Sequence, residues 1–416
     1  MKGKRAFGRN SRGVYAVGFA DMIRTLGRSS AVILLPVYFL TDRHADYLLI
    51  GGIIAASYLV TVPLGIIGGA LSDRVGRRPL FTVMPFLSAL GFAMMGLEIF
   101  SNAPLSLIFL TFICATPIGN LQQTVDSAVL SDLTLPSERT RAFSILRLAS
   151  NVGFSLGPAL GGFVALFGYG VLMLIPAAGN IIEGIIYIMF VRETLPEKGV
   201  TSTAIPSLRK ALIAFPSSDR PFLIIIGVMV VAQLCLGQWG TTLTLFLSSS
   251  YRLSPAQIGL MYSLNGVVVV LFQLPVSRLM NRFAELNRLI IGVALYAVSF
   301  FMFGLFSAYP MILTAAAILT MGENIYSPTG STLISKMAPQ NRRGEYFGAY
   351  SAIGAFAAPV IVLFGSVLLT VFSRTPVVLW GIVAALGFTA CLMLWKVRDV
   401  IPAERLSDEV FVERAD

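Results

Sequence analysis

The chain has 416 residues, of which 56% are hydrophobic and 12% charged, with a formal net charge of +10. Soluble domains carry roughly 25% charged residues, so a water-soluble fold is excluded. With three Cys and one His, so are a disulfide scaffold and a zinc module.

Apolar runs of about 20 residues are long enough to cross a hydrocarbon core of about 30 Å as helices. In chain order they fall near residues 13–40, 47–71, 80–99, 104–132, 142–168, 170–192, 221–247, 255–280, 287–308, 310–336, 345–372 and 375–397. The expected fold is an all-α membrane protein with twelve transmembrane helices, because lipid leaves no other partner for backbone groups and no alternating ten-residue strand pattern is present. The first run follows a basic, polar stretch, is too long for a signal-peptide core and lacks a cleavage site, so it is read as retained.

Arg24 and Arg28 lie inside the first run, and Arg43, Arg252 and Arg374 in odd-numbered loops. All other Lys and Arg fall in the terminal segments and the even-numbered loops with their flanking turns. Basic loops stay cytoplasmic, which predicts both termini inside a plasma or inner cell membrane. This asymmetry also accounts for the net charge: nucleic-acid binding would need a basic patch on a soluble domain. Cys114, Cys235 and Cys391 sit in apolar runs and read as small core residues. His44, beside Asp42, Arg43 and Asp46, reads as solvated surface.

The sequence repeats at half its length. Gly153-Phe-Ser-Leu-Gly157-Pro158 returns as Gly354-Ala-Phe-Ala-Ala358-Pro359. Leu71-Ser-Asp73-Arg74 returns as Leu279-Met-Asn281-Arg282, Pro136-Ser-Glu-Arg139 as Pro339-Gln-Asn-Arg342, and Gly119-Asn120 as Gly322-Glu323. A nearly constant offset argues for a duplicated six-helix unit, giving two pseudo-symmetric bundles at 1–192 and 221–397. A cytoplasmic linker at 193–220 and a tail at 398–416 complete the chain. Two parallel halves with a site between them is the architecture of many secondary transporters.

Residues 68–80, read as a tight charged turn, contain Gly69-Ala-Leu-Ser-Asp73-Arg74-Val-Gly76-Arg77-Arg78. This run resembles the loop 2–3 signature of the major facilitator superfamily, and the weakened copy at Asn281-Arg282 is similar to the one that family shows. The resemblance covers about residues 13–397. It implies a conformational latch in which Arg77 or Arg78 pairs with Asp132 while Asp73 faces the start of span eleven near Gly344. A second resemblance, to the helix-five motif of the twelve-helix drug:proton antiporters, is carried by Gly153, Gly157, Pro158, Gly161 and Gly162. Ser144 stands where the extended motif has glycine. Packing alone also explains such small-residue spacing. The opposite face carries Arg147, Asn151 and Ser155, which can look into a central cavity.

An ionisable group inside a span costs about 2.5–3.5 kcal/mol on insertion scales and is functional by default. Asp21, Arg24 and Arg28 share one face of span one. Asp126 lies in span four, Glu183 in span six and Glu323 in span ten. Proton coupling needs a carboxylate whose charge changes between states, and these acids are the candidates, with Arg24 the counter-charge. The alternative is an Asp21–Arg24 pair that only holds span one in place, and a structural role for the others, most of all for Glu183, since sixth helices of the resembled family are peripheral. Many proton-coupled members carry an Arg in mid-helix four; residues 112–119 have none, and Gln122 and Gln123 follow instead.

Candidate cavity groups are Tyr58, Asn120, Gln122, Asn151, Gln233, Gln238, Trp239, Asn265 and Tyr326. Amides and aromatics in an apolar setting suit lipophilic compounds, cationic ones included. The leading expectation is a proton-coupled antiporter exporting hydrophobic small molecules by rocker-switch alternating access. The alternatives are a symporter or facilitator importing a polar metabolite, and a non-transporting sensor. No enzyme constellation, nucleotide-binding loop or metal cluster is present, so no catalytic residue and no cofactor is expected. The expected partners are a small-molecule substrate, protons and the lipid bilayer, without nucleic acid and with the chain as a monomer.

Overall fold

The computed structural model describes the backbone of residues 11–75, 77–135, 138–191 and 216–398, and their side chains except at 11, 66–75, 77, 120, 123–125 and 128. Regular structure in this part is helical. The first span is α1 (Ser11–Val32) and α2 (Leu35–Thr41), followed by α3 (Tyr47–Val75), α4 (Arg77–Phe100), α5 (Leu105–Leu133), α6 (Arg139–Val164) and α7 (Tyr169–Phe190). After the segment at 192–215 come α8 (Arg220–Leu236), α9 (Thr241–Ser249), α10 (Pro255–Met280), α11 (Glu285–Leu305), α12 (Tyr309–Met337), α13 (Arg343–Phe372) and α14 (Pro376–Val397).

Ten stretches are long and apolar enough to cross a membrane, and 105–119 is a shorter apolar helix at the start of α5. Many large apolar side chains point outward, Phe167 at 79% and Met189 at 68% exposure among them. A water-soluble monomer rarely tolerates such a contiguous surface; a hydrocarbon solvent does.

Three sequence expectations change. The first and seventh spans, read as continuous over 13–40 and 221–247, are broken. In the first, Ile33 and Leu34 form a turn before Pro36, which sits at the start of α2, where a missing N–H costs nothing. In the seventh, Gly237–Trp239 form a 3-10 turn that ends at Gly240. The two breaks are about 200 residues apart, so the duplication extends to helix irregularities. The turn read at 68–80 is helical up to Val75 and again from Arg77, placing its charges on helix ends rather than on a loop. The cysteines do not share one environment: Cys235 is buried, Cys391 half-buried and Cys114 exposed. His44 is exposed, with a left-handed φ of 53°.

The chain divides into two compact units. One comprises residues 1–45, 52–206 and 252–266, the other 46–51, 207–251 and 267–416. In the first, α1 packs on α6 and α7, and α4 on α5 and α7. Its core gathers Val14, Val17, Phe81, Leu130 and Tyr187, with the Phe81 and Tyr187 rings 5.5 Å apart. In the second, α11 packs on α12 and α14, and α14 on α8. There the buried Trp380 ring stacks on Phe300 at 5.2 Å and meets Phe246 edge-on.

Candidate functional site: a buried charge cluster

Four ionisable side chains from three helices meet inside the first unit. Arg24 on α1 is 5% exposed, Asp21 on α1 2%, Asp126 on α5 1% and Glu183 on α7 0%. The Arg24 Nη2 donates to Asp21 and, at 3.2 Å, to Asp126 Oδ2; its Nε lies 3.0 Å from Glu183 Oε1. The i, i+3 spacing puts Asp21 on the same helix face as Arg24. The contacts across α5 and α7 depend on how those helices pack on α1.

The three carboxylates are served unequally. Asp126 Oδ1 accepts from the Tyr187 hydroxyl at 2.6 Å and from the Gln122 amide at 3.1 Å. Asp21 accepts from the Ser150 hydroxyl on α6. Neither oxygen of Glu183 has a hydrogen-bond partner among the described residues, because the Arg24 contact is close but poorly aligned. Tyr187 and Ser150 were not among the sequence candidates. Tyr187 follows Glu183 by four residues and therefore shares its face, a signal the sequence did hold.

Other candidates are placed as follows. Gln122, read as a cavity group, is buried and bonded to Asp126, so it belongs to the charge cluster. Glu323 is half-buried on α12 in the other unit and is not part of this cluster. Asn265 and Tyr326 are buried, the Tyr326 hydroxyl without a hydrogen bond; Asn151, Gln233 and Trp239 are half-buried and Tyr58 is exposed. The Gln238 amide donates to the Leu234 and Ile361 carbonyls and accepts from the Thr242 hydroxyl at 2.7 Å, bracing the break between α8 and α9. Ser155 does not look into a cavity: it packs against Gly266 of α10. Arg147 is exposed. Arg78 and Asp132 are exposed, whereas Asn120 and the latch residues Gly69, Asp73, Arg74, Gly76 and Arg77 lie outside the described side chains.

The glycine row of α6 is a contact surface. A Cβ on Gly153 would strike the Met22 carbonyl, on Gly157 the Ser29 hydroxyl, and on Gly161 the Ser30 carbonyl, all on α1. On Gly162 it would meet the Pro255 carbonyl at 2.6 Å, on α10. Pro158 closes the same face, its carbonyl against Gly259. The row holds α6 close to α1, and α1 carries the charge cluster.

One turn beyond Arg24 on α1, a cavity of about 290 Å³ is lined by Arg24, Thr25, Arg28, Ser29, Val32, Ile33 and Phe154.

Comparison with known proteins agrees with this architecture. The Major Facilitator Superfamily profile matches residues 17–251 and 231–413. The chain is 27% identical over 334 residues to an uncharacterized MFS-type transporter, YttB, of Bacillus subtilis (strain 168), covering 80% of this chain and 82% of that protein. It is 26% identical over 395 residues to the multidrug resistance protein MdtH of Cronobacter sakazakii (strain ATCC BAA-894), covering 92% and 94%. Among solved structures, the peptide transporter POT in complex with sulfate superposes with a TM-score of 0.76 at 14% identity, covering 95% of this chain and 96% of that one. The nucleoside transporter NupG gives 0.74 at 14% identity, covering 92% and 98%. The fold is therefore two bundles of six transmembrane helices. This chain belongs to the Major Facilitator Superfamily, as a multi-pass membrane transporter of small molecules and not an enzyme.

Proposed function

We propose that the protein is a proton-coupled antiporter that exports hydrophobic small molecules across the cell membrane by alternating access, with both termini cytoplasmic and the chain acting as a monomer. The supporting observation is one guanidinium facing three carboxylates at a buried site. Uncompensated charge in a low-dielectric interior is costly, and a buried acid escapes that cost by taking up a proton. One Arg balances one carboxylate, so the remaining acids reach neutrality only with protons bound. A conformational change that draws Arg24 toward or away from one acid changes how many protons the cluster holds, which is what coupling requires.

Glu183 is the proton carrier in this reading. Asp126 and Asp21 accept hydrogen bonds from Tyr187, Gln122 and Ser150, whereas Glu183 meets Arg24 only in a poorly aligned contact and has no hydrogen bond among the described residues. The latch at Asp73, Arg77, Arg78 and Asp132 sets which way the cavity opens. The drug-like substrate class is supported by the MdtH relatives.

The test is transport in proteoliposomes under an imposed pH gradient. Glu183→Gln is expected to abolish gradient-driven accumulation while leaving gradient-independent substrate exchange within about twofold. Undiminished gradient-driven transport in this variant would remove Glu183 from the mechanism, and undiminished transport in Asp21→Asn, Asp126→Asn and Glu323→Gln as well would remove proton coupling through these acids. Asp73→Asn is expected to reduce transport at least tenfold with an unchanged elution profile in detergent; unchanged transport would exclude the latch.

A further inference from the structure

The cavity beside the charge cluster contains a cation that the cluster does not use. Arg28 lies one helical turn from Arg24 and lines the cavity. Arg24 is occupied by Asp21, Asp126 and Glu183. Arg28 makes no ion pair and no hydrogen bond among the described residues. It is half-buried within a membrane span, where an isolated charge is expensive and marks a ligand pathway by default.

The surroundings are arranged for this side chain. Gly119 on α5 leaves the guanidinium its place, since a Cβ there would stand 3.0 Å from Arg28 Nη1. Thr25 and Ser29 line the same cavity, and Val32, Ile33 and Phe154 make its apolar wall. The site combines a planar fork of donors, unpaired among the described residues, with a hydrophobic wall, in about 290 Å³. A guanidinium binds a carboxylate through two parallel hydrogen bonds, and the pairing is strongest where water is scarce.

We infer that Arg28 is the docking point for the carboxylate of an amphipathic organic acid whose apolar body lies against Val32, Ile33 and Phe154. This names the substrate class of the transporter proposed above and rests on that reading. It reverses the sign expected from the sequence, which pointed to lipophilic compounds with cationic ones included. The nearby acids do not compete for the site, because Arg24 stands between them and Arg28 along α1 and holds all three.

The test is equilibrium binding to the purified full-length protein in detergent with phosphatidylcholine, at neutral pH and without a proton gradient. The probes are three isosteres on one aromatic body: naphthoate, naphthamide and naphthylmethylammonium. Wild type is expected to bind naphthoate at least tenfold more tightly than naphthamide and not to bind the ammonium measurably. Arg28→Gln is expected to bind naphthoate and naphthamide equally, and Arg28→Lys to keep part of the preference. Equal affinities in wild type, no naphthoate binding up to millimolar concentration, or a preference surviving in Arg28→Gln would each overturn the assignment. So would loss of naphthoate binding on adding phosphatidylglycerol, which would make the site a lipid headgroup site. If Arg28→Gln does not fold, the isostere comparison in wild type and Arg28→Lys decides. No proton gradient enters this measurement. Loss of the naphthoate preference with gradient-driven transport intact would therefore strike only the substrate class, and the converse only the coupling.

Discussion

Arg24→Met is expected to abolish transport and to lower stability by about 3–5 kcal/mol, the usual cost of removing one partner from a buried ion pair. The reason is geometric. Arg24 contacts carboxylates from α1, α5 and α7, so its loss leaves three acids sharing one enclosure with only the polar contacts from Tyr187, Gln122 and Ser150. Methionine fills a similar volume, which confines the deficit to charge. Thermal unfolding in detergent measures the stability, and proteoliposome transport the activity. Adding Asp21→Asn, Asp126→Asn and Glu183→Gln to Arg24→Met is expected to restore most of the melting temperature and none of the transport, because the enclosure then holds neither a charge nor a proton carrier. Arg24→Lys is expected to rescue poorly: an ammonium is a point charge on a flexible stem and cannot serve three acids in a fixed fan as a guanidinium does. A melting temperature for Arg24→Met equal to wild type would show that the cluster is not held together by this cation.

The second large effect is at the helix contact. Gly161→Val is expected to abolish transport and to destabilise by at least about 1–3 kcal/mol, the range for overpacking. Its new side chain would meet the Ser30 carbonyl, carbon and Cα, and a backbone cannot rotate away as a side-chain tip can. The displaced α1 would carry Asp21 and Arg24 with it and misalign the cluster. The contrast is Gly354→Val on α13. Gly354 is the repeat partner of Gly153, yet a Cβ there has nothing within 4 Å. Melting temperature is expected to be unchanged at 354 and to fall at 161. Equal effects at the two positions would mean that the glycine row of α6 is not a special contact.

That pair of glycines shows where sequence reading reaches its limit. The repeat Gly153-Phe-Ser-Leu-Gly157-Pro158 and Gly354-Ala-Phe-Ala-Ala358-Pro359 is visible as a pattern, and it places both stretches on helices. It carries no information about which copy is pressed against a neighbour. The charge cluster divides in the same way. Asp21 and Arg24 are legible as partners because three residues bring them to one helix face. Asp126 and Glu183 are legible as intramembrane acids. Their meeting at Arg24, about 100 and 160 residues away along the chain, is not. That Gln122 joins the cluster through Asp126 and that Glu183 reaches Arg24 depends on the rotation of α5 and α7 about their axes. Nor does the spacing that puts Ser155 on the face of Arg147 and Asn151 show that it packs against α10.

What the sequence determined by itself is what depends on local, additive properties. Apolar length sets the spans, Lys and Arg placement sets the expected orientation, and proline and glycine positions set where helices can break. The family followed from short motifs at the right places among the spans. What only the tertiary structure decided is partnership: Arg24 holding three acids, Glu183 without a hydrogen bond among the described residues, Arg28 beside a cavity. Those relations depend on which face each helix turns toward the next. That rotation is set by side chains interlocking across distant segments and has no counterpart in the periodicity of any one of them.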